Sequence, residues 1–280
     1  MRVRKASMVF SVVIIVLLLL IGFIVNNILK KGTKEVKVAK DFIEELYDSG
    51  IIENSYSIKK SVIKEETLNK LSNKDSIIKY SVIVGKYGVD IDKNFNILGF
   101  SNKNIDEHMV KSNLISEEDA IYLAKSYLSK ITKDEFEFKE VKKGDNIESS
   151  FYNIIFYKYR NGYPYYKQEI KTVINKFTGK LEGYTNYPIE NIKYSEEINI
   201  DEEEAIKILK DNFEGLKLEV TAMEDPILAY INISDKEMVL AYILNSNLKD
   251  KDGKEETCTS SVRADTGEVV NYNLESVAKK

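Results

Sequence analysis

The sequence predicts an α+β protein, with an N-terminal transmembrane helix followed by tandem units, each a helix packed on an antiparallel sheet of three to four strands. Three observations predict this fold class. An uncharged apolar run extends from Met8 to Val25, a helix-start motif occurs twice, and segments rich in Tyr, Ile and Phe are separated by turn residues. The predicted segments are residues 1–31 (basic N-terminus and transmembrane helix), 35–105 (divergent N-terminal unit), 113–190 (central unit) and 198–280 (C-terminal unit).

The apolar run is long enough for a membrane-spanning helix. With Ile28 and Leu29 it approaches the ~20 residues that cross the hydrocarbon core of a bilayer. A cleaved signal peptide is the alternative, but Phe23 to Ile28 offers no pair of small residues as a cleavage site. We therefore expect an uncleaved signal-anchor that contacts the lipid bilayer.

The orientation of this helix is subject to two opposing arguments. Basic residues are more numerous after the run than before it, which favours a cytoplasmic domain by the positive-inside rule. Long domains, however, are translocated largely regardless of their charge. We expect a single-pass protein of the cell membrane whose C-terminal domain is extracytoplasmic.

The helices of the central and C-terminal units begin with a repeated motif. Ile115-Ser-Glu-Glu-Asp-Ala-Ile121 recurs 85 residues later as Ile200-Asp-Glu-Glu-Glu-Ala-Ile206. Ser116 and Asp201 can each accept a hydrogen bond from a first-turn amide, and the acids that follow lie at the positive end of the helix dipole. This structural explanation is favoured over a cation site or a catalytic carboxylate pair.

The strands are marked by a second repeat. The segment Ile174 to Tyr184 matches Val262 to Tyr272, 88 residues later, and a fainter copy lies at Ile91 to Phe100. In the central unit the predicted strands flank an Asn-Gly hairpin turn and a later Thr-Gly turn. The predicted strands are 151–160, 165–175 and 180–187 in the central unit, and 227–233, 238–245, 257–263 and 268–273 in the last unit.

Charge and composition exclude several classes of function. The chain is basic through Lys40 and acidic beyond it, so the folded part repels phosphate and nucleic acid is not an expected partner. One Cys and one His permit neither an intrachain disulfide nor a Cys-cluster or paired-His zinc site. We expect no metal, no cofactor and no catalytic residue.

Three single features have simple explanations. Cys258 aligns with Ile170 of the central unit, which predicts a small buried residue on a strand. His108 lies in a polar segment and is expected to be an exposed linker residue. The stretch Asp250 to Gly253 fails the calcium-loop pattern and predicts a hairpin tip.

A group of tyrosines flanks the Asn161-Gly162 turn. They can be half-buried strand residues, since Tyr suits a pleated surface with one wet side, or an aromatic contact patch for a protein. Both can hold for different residues. The candidate partner contacts are Tyr159, Tyr163, Tyr165 and Tyr166.

The helix start Ile115-Ser-Glu-Glu, the Asn-Gly-Tyr-Pro hairpin and the turn Ala264-Asp-Thr-Gly-Glu-Val269 together resemble the PepSY-like repeat. The tandem arrangement is similar to the YcdB/YcdC type, and the chain is also similar to membrane-anchored envelope regulators of the YpeB and YycI/YycH kinds. The resemblance implies a non-catalytic module of the bacterial cell envelope. Its implied role is to bind and regulate a peptidase, a cell-wall hydrolase or a sensor kinase.

An enzyme is the alternative, for instance a hydrolase of the envelope that uses carboxylates alone. The repeat can distinguish the two, because an active site built from one unit would contain polar residues that the sister unit lacks. From the sequence, no such residues stand out.

Overall fold

The computed structural model describes residues 34–53, 64–66, 77–103, 114–142, 150–190 and 192–276. They divide into two compact units. The first unit comprises the described residues of Met1–Lys111 together with Lys180–Tyr184, and the second those of Ser112–Gly179 and Thr185–Lys280.

The first unit packs one helix on an antiparallel meander. Its elements are α1 (Lys34–Asp48), β1 (Lys64–Glu66), β2 (Tyr80–Val84), β3 (Tyr87–Ile91) and β4 (Ile97–Asn102). The strands pair in chain order, and α1 lies on β2 and β3. The buried residues of the helix are spaced three to four apart, as on the apolar face of an amphipathic helix. That face consists of Val36, Ala39, Ile43 and Leu46.

The second unit contains two helices that begin as the repeated motif predicts. They are α2 (Glu117–Ile131) and α3 (Glu202–Gly215). The Ser116 Oγ accepts a hydrogen bond from the Asp119 amide at 3.0 Å, and the Asp201 Oδ1 accepts one from the Glu204 amide at 2.9 Å. The acidic runs therefore cap and stabilise the helix N-termini, as we predicted.

The strands of the second unit form one mixed sheet. Its elements are β5 (Glu135–Lys142), β6 (Phe151–Arg160), β7 (Tyr163–Asn175), β9 (Lys193–Ser195), β10 (Glu219–Met223), β11 (Ile227–Ser234), β12 (Glu237–Lys249), β13 (Glu255–Arg263) and β14 (Val269–Ser276). A further strand, β8 (Leu181–Asn186), begins in residues assigned to the first unit. The order is β5-β6-β7-β11-β12-β13-β14, and β9 and β10 both pair with β12.

The predicted fold class was wrong in its architecture. We predicted a separate antiparallel sheet for each unit, but β7 pairs in parallel with β11 at Tyr165 and Tyr230, and β9 pairs in parallel with β12. The two meanders thereby share one mixed sheet, which covers strand edges that separate sheets would expose. The part of the chain that the structure describes contains no helix long and apolar enough to cross a membrane. The run from Met8 to Val25, where we predicted such a helix, lies outside it.

The strands that were not predicted from the sequence include β5 and β10. β5 carries five charged residues in eight and has mostly exposed side chains, while β10 is short and half-exposed. In the last unit, β10 and β11 pair in turn along one edge of β12, with a break that contains Pro226 between them. The single strand β5 takes the same place beside β6. Pro226 lacks an amide hydrogen, which accounts for the break.

The two later units share a close approach of a turn to a helix. Gly179 and Gly267, 88 residues apart, have φ values of 68° and 73°. A Cβ at Gly179 would lie 2.9 Å from Cδ1 of Leu123, and one at Gly267 would lie 3.0 Å from Cδ1 of Ile208. Leu123 and Ile208 occupy the same helical position of the repeat. Both the backbone conformation and the available space therefore require glycine.

A tyrosine ties each helix start to its sheet. The Tyr152 hydroxyl donates to the Ile115 carbonyl at 3.1 Å, and the Tyr242 hydroxyl donates to the Ile200 carbonyl at 3.1 Å. Helix, long hairpin and Thr-Gly turn follow in the same order in both segments. The two segments that repeat in sequence therefore also form the same contacts between helix and sheet.

The close approach at Gly267 leads to a stability prediction. Gly162→Ala meets only backbone strain, because no atom lies within 4 Å of its Cβ position, and we expect a loss of about 1 kcal/mol. Gly267→Ala adds overpacking against Ile208, so we expect a further ~1–3 kcal/mol. Urea unfolding of both variants measures the difference, and equal losses would contradict the packing argument.

Candidate functional site

The four tyrosines predicted as partner contacts do not form one patch. Tyr165 is 6% exposed and belongs to the apolar cluster under α3, and Tyr163 packs at the edge of that cluster. Tyr166 points to the other face of the sheet and packs on the cluster that contains Ile231. Tyr159 is half-buried beside a cavity. The structure therefore gives Tyr165 a packing position and leaves parts of the other three accessible.

Three tyrosines form a buried aromatic group beside that cavity. The rings of Tyr165 and Tyr230 lie 5.2 Å apart, those of Tyr194 and Tyr230 lie 5.5 Å apart, and the hydroxyls of Tyr165 and Tyr194 are 3.0 Å apart. Burial raises the pKa of Tyr165 and Tyr230 far above the usual tyrosine value, with further contributions from Tyr194 and Glu196 respectively. These phenols therefore keep their protons at neutral pH.

Glu196 joins the linker after β9 to two other elements. Its carboxylate accepts hydrogen bonds from the Tyr230 hydroxyl at 2.9 Å, from the Asn161 Nδ2 at 3.0 Å and from the Arg160 Nε at 3.2 Å. The hydrogen bond from Tyr230 is the largest of the effects that lower the pKa of Glu196. Tyr194, which β9 contributes, stacks its ring under the Arg160 guanidinium at 4.1 Å. These contacts hold the linker against the β6–β7 hairpin and β11.

Lys158 is a buried cation on the helix-facing side of β6. Only 3% of its side chain is exposed. Its Nζ donates to the Asn186 Oδ1 at 2.8 Å and to the Tyr187 carbonyl at 2.9 Å, and it lies 3.1 Å from the Asp134 Oδ2. Burial lowers the pKa of Lys158, and the neighbouring Asp134 opposes that shift.

Asp134 is the charge partner of this buried lysine. Burial disfavours its ionised form, but hydrogen bonds from Asn186, Lys158 and Thr132 outweigh burial and lower its pKa. The Asn186 Nδ2 donates to Oδ2 at 2.7 Å and the Thr132 hydroxyl donates to it at 3.1 Å. A four-residue polar cluster, here called the Lys158 cluster (Thr132, Asp134, Lys158 and Asn186), thus joins the end of α2, the strand β6 and the end of β8.

The Lys158 cluster and the aromatic group border one cavity of about 310 Å³. Its lining is mainly polar and contains both signs of charge. The lining residues are Lys133, Asp134, Glu135, Lys158, Tyr159, Arg160, Asn161, Tyr165, Ile189 and Tyr194.

The sister unit does not repeat the Lys158 cluster. The strand pairing, in which Tyr152 corresponds to Tyr242, places Leu248 at the position of Lys158 and Ser246 at the position of Phe156. The 88-residue offset of the following turn places Leu274 at the position of Asn186. Ser246 is 1% exposed, and its Oγ has no hydrogen-bond partner among the described residues. The exchange of Lys158 for Leu248 was not predicted from the sequence. The available signal was a lysine within the apolar strand Ile154-Ile-Phe-Tyr-Lys158, on the face that the repeat buries.

Cys258, the Asp250 turn and His108 are the other single features named from the sequence. Cys258 is fully buried in the cluster under α3, as predicted, with Sγ 3.4 Å from the Ser260 Oγ. Asp250 forms the predicted hairpin tip, because its Oδ1 accepts from the amides of Asp252 and Lys254. Within the described ranges no three His, Cys, Asp or Glu side chains could hold a metal ion. His108 lies outside the described residues.

The unpaired Ser246 hydroxyl predicts a stabilising substitution. Ser246→Ala removes a buried polar group without breaking a hydrogen bond, so we expect a gain of about 1 kcal/mol in unfolding free energy. The control is Thr172→Val, which removes a buried hydroxyl that does donate to the Ile154 carbonyl at 3.2 Å and should lower stability by about 1 kcal/mol. Urea unfolding checks both signs, and a destabilising Ser246→Ala would contradict the assignment.

The Glu196 contacts predict a pH-dependent contribution to stability. Because its folded-state pKa is lower than the usual 4.5, ionised Glu196 stabilises the fold above that pH and loses this effect as the pH falls through the folded value. Glu196→Gln should therefore cost about 1 kcal/mol near pH 7, since the group is 40% exposed, and the cost should shrink as the pH falls from 7 through the folded-state pKa. Unfolding measured across this range tests the sign. A deficit that grows towards acid would refute it.

Comparisons with known proteins give a structural likeness but no match in sequence. No protein-family model matches the sequence, and no curated protein is significantly similar to it. The solved structure of the Bacillus megaterium YpeB C-terminal domain is similar to the chain, with a TM-score of 0.46 and 19% sequence identity. The likeness covers 84% of this chain and 96% of that domain.

Proposed function

We propose that this protein is a non-catalytic binding protein of the cell envelope, which regulates a partner such as a peptidase, a cell-wall hydrolase or a sensor kinase. The observation that supports this proposal is that ionisable groups at the cavity are engaged in ion pairs and hydrogen bonds with one another. Asp134 is engaged by Lys158, and Glu196 by Arg160 and Tyr230. Such mutual engagement stabilises a surface for recognition but leaves these groups poorly suited to transfer protons.

A carboxylate-dependent hydrolase is the alternative that the sequence left open. Such an enzyme needs one carboxyl with a raised pKa that stays protonated as the general acid. At this cavity the pKa values of Asp134 and Glu196 are both lowered, by hydrogen bonds that favour the ionised form. We therefore favour binding over hydrolysis.

The accessible surface beside the cavity is suited to a protein partner. Tyr159 lies on β6 and Tyr166 on β7 of the β6–β7 hairpin, and both are half-exposed. Tyrosine is enriched at protein interfaces because its ring is rigid and its hydroxyl can bond across the contact. In this proposal the folded part is extracytoplasmic and its partner is another envelope protein.

Site-specific photo-crosslinking in cells tests the proposal. A photoreactive amino acid at Tyr159 or Tyr166 should capture a discrete envelope protein, and the same residue at Tyr122 should not. Tyr122 is the matched control because it is 73% exposed on α2, away from the hairpin.

Two outcomes would contradict the proposal. One is capture of no partner at Tyr159 or Tyr166 when the protein is folded and present at its natural level. The other is hydrolytic turnover by the purified chain that Asp134→Asn abolishes while the far-ultraviolet circular dichroism stays unchanged.

A further inference from the structure

The charges around the cavity cancel in pairs. Lys158 lies 3.1 Å from Asp134, and Arg160 lies 3.2 Å from Glu196. The two other charged lining residues, Lys133 and Glu135, have opposite signs. A ligand with a net charge would find no uncompensated counter-charge here, and an apolar ligand would leave the polar lining without partners. The cavity is therefore best suited to a neutral, hydrogen-bonding ligand.

Free hydrogen-bonding capacity remains on the lining. The Asp134 Oδ2 accepts all three donors of the Lys158 cluster, and its Oδ1 has no partner among the described residues. Asp134 is 41% exposed, and Glu135 beside it is exposed. The carboxylate oxygens of Asp134 and Glu135 can accept hydrogen bonds from hydroxyl groups of a ligand, and such charge-assisted bonds are among the stronger ones.

Aromatic rings supply the other half of a recognition surface. Tyr159 and Tyr194 line the cavity, and the contacts of Glu196 and Arg160 hold Tyr194 in place. Tyr rings bury apolar area while their hydroxyls still form hydrogen bonds. Carboxylates and tyrosine rings lie side by side on this lining. They suit a cyclic ligand that has hydroxyl groups on its rim and C–H groups on its faces.

We propose that this cavity binds one or two rings of a neutral saccharide. Its volume of about 310 Å³ lies at the small end of the range for ligand pockets, which begins near 300 Å³. The site belongs to the central unit alone, because Leu248 and Leu274 stand where that unit has Lys158 and Asn186. This function goes beyond the capture of a protein partner and does not depend on it.

Saccharide titration of the full chain tests the proposal. The protein is purified in a detergent without sugar groups, because residues 8–25 are apolar, and it is titrated with cellotriose and with chitotriose. We expect saturable binding of at least one of them, observed as saturation-transfer difference signals from the sugar protons. Lysine and glutamate, as charged probes, should give no saturable signal.

Matched variants locate the binding. Glu135→Ala and Tyr159→Leu alter the lining, and each should weaken binding at least fivefold. The controls Glu219→Ala, at an exposed position of the edge strand β10, and Tyr157→Leu, on the same strand as Tyr159 but outside the lining, should leave it unchanged. Urea unfolding of each variant verifies that the fold persists.

Three results would overturn the proposal. The first is no saturable signal with either trisaccharide at concentrations up to about 10 mM, which would mean that any dissociation constant is weaker than that. The second is an equal loss of binding in the lining variants and the controls. The third is preferential, saturable binding of lysine or glutamate, which would assign the cavity to a charged ligand.

Discussion

The placement of one buried amine organises this face of the second unit. Lys158 lies on a strand face that is otherwise apolar, and a buried charge without partners would cost several kcal/mol. Its partners come from two separate places, since Asp134 precedes β5, whereas Asn186 and Tyr187 are adjacent at the end of β8. Satisfying the amine thus fixes the positions of segments that are distant in sequence. The cavity lies where these segments meet the tyrosines of β7 and β9.

The repeat shows what this arrangement adds to a shared scaffold. Both later units have the same helix cap, the same tyrosine bond to the helix start and the same glycine in the turn against the helix. Only the central unit has the buried ion pair, whereas the C-terminal unit has the buried Leu248 at that position. Buried ion pairs contribute little net stability compared with apolar packing. Its presence in one unit is therefore better explained by the site that it builds than by folding.

Local features of the fold could be predicted from the sequence, and features that depend on distant contacts could not. Ser116, Asp201 and the Asn161-Gly162 turn act within a few residues of chain, so their patterns were sufficient. The charged strand β5 was missed because an edge strand has no need of apolar residues on both faces. The pairing of Tyr165 with Tyr230 joins two meanders 65 residues apart, and nothing in either segment alone indicates it. Lys158 was missed for the same reason, because its partners are visible only in three dimensions.

The coupling free energy between Lys158 and Asp134 tests the account most directly. It is obtained from urea unfolding of the wild type, Lys158→Met, Asp134→Asn and the double variant, as a double-mutant cycle. If the ion pair organises this region, the two substitutions are strongly non-additive, with a coupling of ~1–3 kcal/mol. A coupling indistinguishable from zero would mean that each residue acts independently, and it would contradict the central role given to the buried amine.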